Sequence, residues 1–389
     1  MDGAVMVSKN EQFNYAILED FRHGKISKEA AGMLLGVSKR TVQRQAKKIR
    51  TKGINGIKHG NYKKKPHNAK SDELKAQMMK LANEKYYDFN MVHCLEMLAK
   101  YHDLSVSYAT FHSWCRAAGI GKRKRRRSGK KRVYRERMAN EGLLLQMDGS
   151  HHKWNGKDDW VVIAMIDDAS SEVPYAEFFS SEDTWNCLKV LRRVIEIKGI
   201  PEAIYVDRAG WFGGLKRQYF SQFVRACDEL GIRVIYANSP EAKGRIERVW
   251  QTFQDRLIPE LRIHEKSTME AANRYLLNTF LPEYWQERNT VIPTSLESRY
   301  RSIPADQNLD DVFCMKYERI VRNDHTVSFD TEMYSLKGSF VGSIKGKIIT
   351  IHKTQQGDLR AYYGVIEVIL KPIPKRYKSW QKVGDIRRA

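Results

Sequence analysis

The chain has 389 residues, with 68 Lys and Arg against 46 Asp and Glu, a formal charge of +22. That length admits two to four domains and a sizeable core. Its five cysteines (Cys94, Cys115, Cys187, Cys227, Cys314) are scattered and odd in number, which argues against a disulfide scaffold. No apolar run approaches a membrane span, and MDGAVMVSKNEQF lacks a signal-peptide core, so the expectation is a soluble, cytoplasmic protein. The charge is uneven: residues 1–140 hold 32 basic and 12 acidic side chains, the remainder 36 and 34. A basic front on a nearly neutral rear suits a nucleic-acid grip joined to a catalytic body.

In chain order, residues 1–62 read as three helices: EQFNYAILEDFRHG, then KEAAGMLLG and KRTVQRQAKKIR behind Ser27 and Ser38 caps. The short Gly36-Val37-Ser38 link predicts a helix-turn-helix. Its second helix would present Lys39, Arg40, Gln43, Arg44 and Lys47 to a major groove, with Val42, Ala46 and Ile49 facing inward. A Gly-, Asn- and Lys-rich stretch reads as a linker. Residues 68–120 then repeat the design as a second helix-turn-helix module, whose last helix offers Tyr108, His112 and Arg116. His93, Cys94, His102, His112 and Cys115 lack the paired spacing of a zinc module, and helical periodicity places the two cysteines in a core. Residues 121–138 form a basic linker; GKRKRRRSGKKR alone has nine basic residues in twelve, among them Lys122, Arg123, Lys124, Arg125, Arg126 and Arg127. Such a run cannot fold alone and is suited to DNA phosphates.

Residues 139–262 alternate strand and helix. Strands are predicted at LLLQMDG, DWVVIAMIDD, VPYAEFF, AIYVD and RVIYAN, and helices at DTWNCLKVLRRVIEIKG, KRQYFSQFVRACDELG and KGRIERVWQTFQDRLIPEL. Three strands in succession followed by alternation imply a mixed five-stranded α/β sheet. Residues 263–305 read as a helical extension, 310–372 as a small β-barrel and 373–389 as a basic tail.

Three carboxylates carry the chemistry: Asp148 in LLLQMDGS, Asp207 in EAIYVDRAG and Glu247 in SPEAKGRIERVW. Both aspartates follow apolar, β-branched runs and are expected near strand ends, with Glu247 in the first turns of a helix. Acids there need neutralising, and hard oxygen donors without thiol or imidazole favour Mg²⁺ or Mn²⁺. Two ions per site would suit in-line displacement at phosphorus.

In combination, MDGS, YVDR and the Pro- and Gly-preceded Glu247 resemble the ribonuclease-H-like core of retroviral integrases and bacterial insertion-sequence transposases. The 40-residue gap between Asp207 and Glu247 is longer than the retroviral spacing. The resemblance is strong over about residues 141–262 and looser in the flanks, and no HHCC zinc-binding module of the retroviral kind is present. It implies a DNA transposase with Asp148, Asp207 and Glu247 as metal-binding catalytic residues. It further implies double-stranded element ends and target DNA as partners, a homo-oligomeric synaptic complex, no membrane, and a nucleoid-associated bacterial location. On the same helix Glu247, Gln251 and Gln254 share a face, and Lys243, Arg245 and Arg248 add charge next to the site.

Asp167 and Asp168 are explained by an acidic hairpin turn, with a supporting role as the alternative. Glu241 precedes the glycine and is expected in a loop; His151 and His152 read as surface residues. Competing functions are a DNA-binding regulator derived from a transposase, which predicts loss of an acid, and a structure-selective nuclease, which would not need tandem reading modules.

Overall fold

The computed structural model describes residues 7–62, 69–121, 136–207, 222–236, 244–338 and 342–374. The chain divides into two compact units, Met1–Gln77 and Met78–Ala389. The first is built from helices α1 (Lys9–Arg22), α2 (Lys28–Leu35) and α3 (Lys39–Lys52), closed by a 3₁₀ turn at Gly53–Ile57. Each helix starts where a serine hydroxyl accepts a backbone N–H: Ser8 in a reciprocal capping box with Glu11, then Ser27 and Ser38. Gly36 ends α2 in the left-handed region (φ 62°), which turns the chain within three residues into α3. Leu18, Ala31, Val42 and Ile49 form the core, and Lys39, Arg40, Gln43, Arg44 and Lys47 are all exposed.

Helix α4 (Asp72–Glu84) leads into the second unit, followed by α5 (Met91–His102) and α6 (Tyr108–Ala117). Cys94 and Cys115 are buried, and burial pushes both thiols up, Cys94 to about 12, so they pack as neutral apolar groups. His93 is fully buried, and His102 bonds the Tyr86 hydroxyl at 3.0 Å. Among the described residues no three His, Cys, Asp or Glu side chains stand close enough to hold a metal ion.

The mixed sheet comprises β1 (Leu145–His152), β2 (Trp160–Asp167), β3 (Tyr175–Phe179), β4 (Ala203–Val206) and β5 (Arg233–Tyr236), in the order β3-β2-β1-β4-β5. Strands β1, β2 and β3 pair antiparallel, whereas β1–β4 and β4–β5 are parallel. Helices α7 (Thr184–Lys198) and α8 (Gln222–Glu229) cover one face through Leu145, Met147, Val161, Ile163, Ile204 and Val206. Helix α9 (Gly244–Ile263), α10 (Met269–Tyr275) and a π-helical run at Leu276–Gln286 cover the other through Val162, Ala164, Ile166, Ala176 and Phe178. Burial on both faces explains why β2 is apolar almost throughout.

The α4–α6 module is fastened to the outer side of α9. Arg256 pairs with Glu96 at 2.6 Å, Arg262 with Asp88, and Asn90 donates to Asp255. His93 Nε2 lies 2.8 Å from Glu260 Oε1, a close contact whose ring geometry falls short of a hydrogen bond, and Tyr275 donates to the other Glu260 oxygen at 2.8 Å. One helix is therefore shared between module and sheet.

Residues 290–308 run as an extended strap along the sheet, with backbone bonds from Val291 to Ser170, Ser295 to Ala139 and Arg299 to Glu141. They lead to a nearly closed antiparallel sheet of six strands, β6 (Met315–Ile320), β7 (Thr326–Phe329), β8 (Glu332–Lys337), β9 (Ile348–Lys353), β10 (Leu359–Tyr363) and β11 (Ile366–Ile373), ordered β6-β9-β10-β11-β8-β7. Its interior is Val327, Phe329, Leu336, Ile349, Ile351, Ala361 and Val368. It does not stand apart: Val312, Phe313 and Met315 belong to the core under α7 and α8, and Arg225 of α8 donates to the carbonyls of Val312 and Cys314.

Candidate active site

Asp148 occupies the interior of β1 rather than the strand end expected from sequence. The strand runs on to His152, which pairs with Trp160, so Asp148 stands opposite Ala164 of β2. Alternation sends Gln146, Asp148 and Ser150 to the α9 face and Met147, Gly149 and His151 to the other. On its second side β1 pairs in parallel with β4, Leu145 against Ile204 and Gln146 against Tyr205. Carried two residues further, that register sets Asp148 beside Asp207, the first residue after β4, at a strand spacing of about 4.8 Å. The two aspartates thus share a face at the centre of the sheet.

Each polar residue of β1 on that face meets α9. Gln146 Oε1 accepts the Ile246 N–H at 3.3 Å, Trp250 Nε1 donates to Asp148 Oδ2 at 2.9 Å, and Gln254 Nε2 reaches Ser150 Oγ at 3.4 Å. Glu247 lies in the first turn of α9, where unpaired N–H groups favour a carboxylate, and is exposed, as are Arg248, Gln251 and Gln254. Glu247 is not drawn into a three-carboxylate cluster among the described residues.

The start of α9 is fixed by a buried polar network that the sequence pattern shows only as an acidic turn. Asp168, fully buried, accepts from Arg245 Nε at 2.6 Å, Gln146 Nε2 at 2.9 Å and the Met138 N–H at 2.9 Å. Arg245, expected beside DNA, is therefore engaged with Asp168. Asp167 accepts from Gly142, Ala169 and Ser170 N–H groups and holds the turn.

A further acid lies outside the sequence motifs. Glu182, just before α7, has a side chain only 10% exposed, with His151 Nε2 3.4 Å from its Oε2. Burial, then the charges of Asp148 and Asp207, raise its carboxyl above the usual range, and His151 opposes the shift. The sequence offers only SSEDTW, a capping pattern, and Asp183 does serve as the cap of α7 by accepting the Asn186 N–H at 3.0 Å.

Asp148 and Asp207 are hard oxygen donors without thiol or imidazole between them, which fits Mg²⁺ or Mn²⁺ rather than zinc. Away from this centre, Lys39 pairs with Glu29 at 2.7 Å. Tyr108 stacks near His112 on α6, where Arg116 is also exposed. The run Lys122–Arg127, Lys243 and Glu241 lie outside the described residues.

No family model matches the chain. Among curated proteins it is 30% identical over 371 residues to the Sinorhizobium fredii protein named as transposase y4bF, covering 92% of this chain and 79% of that one. It is 28% identical over 403 residues to the transposase for insertion sequence IS1202 of Streptococcus pneumoniae, covering 92% and 83%. Among solved structures, a simian T-cell lymphotropic virus intasome chain overlaps 77% of this chain and 100% of its own length, at 16% identity and a TM-score of 0.36. The HTLV-2 integrase catalytic core in complex with magnesium overlaps 36% and 88%, at 19% identity and a TM-score of 0.29.

Proposed function

This chain belongs to the transposases, and we propose that it is an insertion-sequence transposase of the integrase superfamily that binds the ends of its element, cuts there and joins the freed 3′ ends to target DNA. The observation that carries this reading is the parallel register of β1 with β4, which, extended two residues, brings Asp148 beside Asp207, with α9, the helix that carries Glu247, packed over that face. The strand order β3-β2-β1-β4-β5 supports a ribonuclease-H-like core.

Asp148 and Asp207 would hold Mg²⁺ or Mn²⁺, and Glu247 would complete the set. Two such ions supply Lewis acidity at the attacking and leaving oxygens. Trp250 holds one oxygen of Asp148 and so orients the other. The Asp168 network seats the first turn of α9 and with it Glu247. Arg248 and Gln251 face outward, where they would meet the phosphates of a DNA end. Water attacks the phosphodiester at the element end and frees a 3′-hydroxyl, which then attacks a target phosphodiester. No side-chain nucleophile is required. Helix α3 would read the end through Arg40, Gln43 and Arg44, and two ends imply a homo-oligomer.

The test is incubation of the full chain with labelled element ends, target plasmid and Mg²⁺, scoring nicks and joined products. Joined products that disappear in Asp148→Asn support the reading. Nicking without joining under every condition would favour a nuclease and overturn it.

A further inference from the structure

We infer that Gln146 is a positioning residue for Glu247: its buried amide fixes the height of α9 against β1, and with it where Glu247 stands relative to Asp148. The inference deepens the reading above, on which the roles of those two acids rest. Gln146 is fully buried at the centre of the sheet, where β1 pairs through it with Ile166 of β2 and Tyr205 of β4. A polar side chain there is costly unless both halves of its amide are paired. Both are: Oε1 accepts the Ile246 N–H at 3.3 Å, and Nε2 donates to Asp168 Oδ1 at 2.9 Å. A backbone N–H only donates and a carboxylate only accepts, so a single orientation of the amide satisfies both. Asp168, itself held by Arg245 Nε and the Met138 N–H, thereby turns the Gln146 carbonyl toward the helix.

That bond is the first of three rungs. Gln146 meets Ile246, Asp148 meets Trp250 and Ser150 meets Gln254, two residues apart on the strand and four on the helix. Two strand residues advance about 6.8 Å and four helix residues about 6.0 Å, so β1 and α9 stay in step and run the same way. Glu247 lies between the rungs at Ile246 and Trp250. A slip of α9 by one residue would carry Glu247 about 1.5 Å along the axis and turn it by about 100°. The later two rungs are made by helix side chains, which can change rotamer. Gln146 instead grips the main chain, through one of the N–H groups that the first turn of a helix leaves without a partner inside it.

The full-length chain is assayed for joining of labelled element ends to target plasmid in Mg²⁺, under single-turnover conditions at saturating end DNA. End affinity and thermal unfolding are measured on each preparation, and rates are compared below the lowest unfolding temperature. Gln146→Met keeps the length of the side chain and removes the amide; joining should slow about 10- to 100-fold with end affinity unchanged. Gln146→Glu sets two acceptors face to face and should slow joining as much. Adding Asp168→Asn to Gln146→Glu restores one donor opposite one acceptor and conserves the charge of the pair. That double variant should join at least about 10-fold faster than Gln146→Glu alone, a rescue that lost packing would not produce. Wild-type joining in Gln146→Met, or a double variant no faster than Gln146→Glu, would overturn the positioning role and leave the proposed function standing. A wild-type chain that joins no ends would overturn the proposed function and this inference together.

Discussion

Trp250 donates its indole N–H to Asp148 Oδ2 at 2.9 Å, which fastens the helix carrying Glu247 to the strand carrying Asp148. Removing the donor while keeping an aromatic ring isolates that link. Trp250→Phe should slow strand joining about 10- to 100-fold in single-turnover assays, as loss of an orienting partner does, with end affinity unchanged. An unaltered rate would show that Asp148 needs no such orientation.

Asp148→Asn, Asp207→Asn and Glu247→Gln should each abolish cleavage and joining and leave end binding intact, since each swap is nearly isosteric and removes only charge. Gel-shift and cleavage assays on the same preparations separate the two effects. An active Glu247→Gln enzyme would move the third acid to another residue.

Asp168→Ala strips partners from Arg245, Gln146 and the Met138 N–H at once. Breaking such a pair costs about 3–5 kcal/mol when both charges are buried, and Arg245 keeps 19% exposure, so the lower end is expected. Urea unfolding measures it; a loss under about 1 kcal/mol would mean that the network is not integral to the fold.

Glu182 gives a pH dependence of definite sign. Its carboxyl is raised in the folded chain, so ionisation favours the unfolded state as pH rises from the unfolded value of 4.5 through the folded one. Without metal, Glu182→Gln should therefore stabilise the protein at neutral pH and make little difference below pH 4.5. Thermal unfolding in EDTA at both ends of that window decides it, and a variant equally or less stable at neutral pH contradicts the raised carboxyl.

The helix-turn-helix and the basic run should divide the DNA affinity between them. Arg44→Ala should cost about 1–3 kcal/mol on element ends and little on random duplex. Replacing Lys122–Arg127 with Ser and Gly should weaken both duplexes alike and flatten the salt dependence by roughly 0.9 for each phosphate no longer neutralised. Competition binding at several salt concentrations reads both. A changed specificity ratio with an unchanged slope would make the run a reader of sequence.

The sequence by itself determined what depends on near neighbours. Ser27 and Ser38 cap helices by accepting from a backbone N–H three residues away, so their spacing alone announced α2 and α3. The apolar run before Asp148, the one before Asp207 and the periodicity after Gly244 announced β1, β4 and α9, because burial of a face imposes a period of 2 or 3.6. Periodicity says which face is buried but not what covers it. The parallel register of β1 with β4, the capture of Arg245 by Asp168 77 residues away, and the approach of Glu182 to Gly149 all depend on strand order and on which elements meet. Asp148 moved from strand end to strand interior for the same reason: β2 supplies partners as far as Trp160, so β1 continues to His152. A local pattern carries no trace of such pairings, since charges brought together by the fold are separated in the chain by residues that play no part in their meeting.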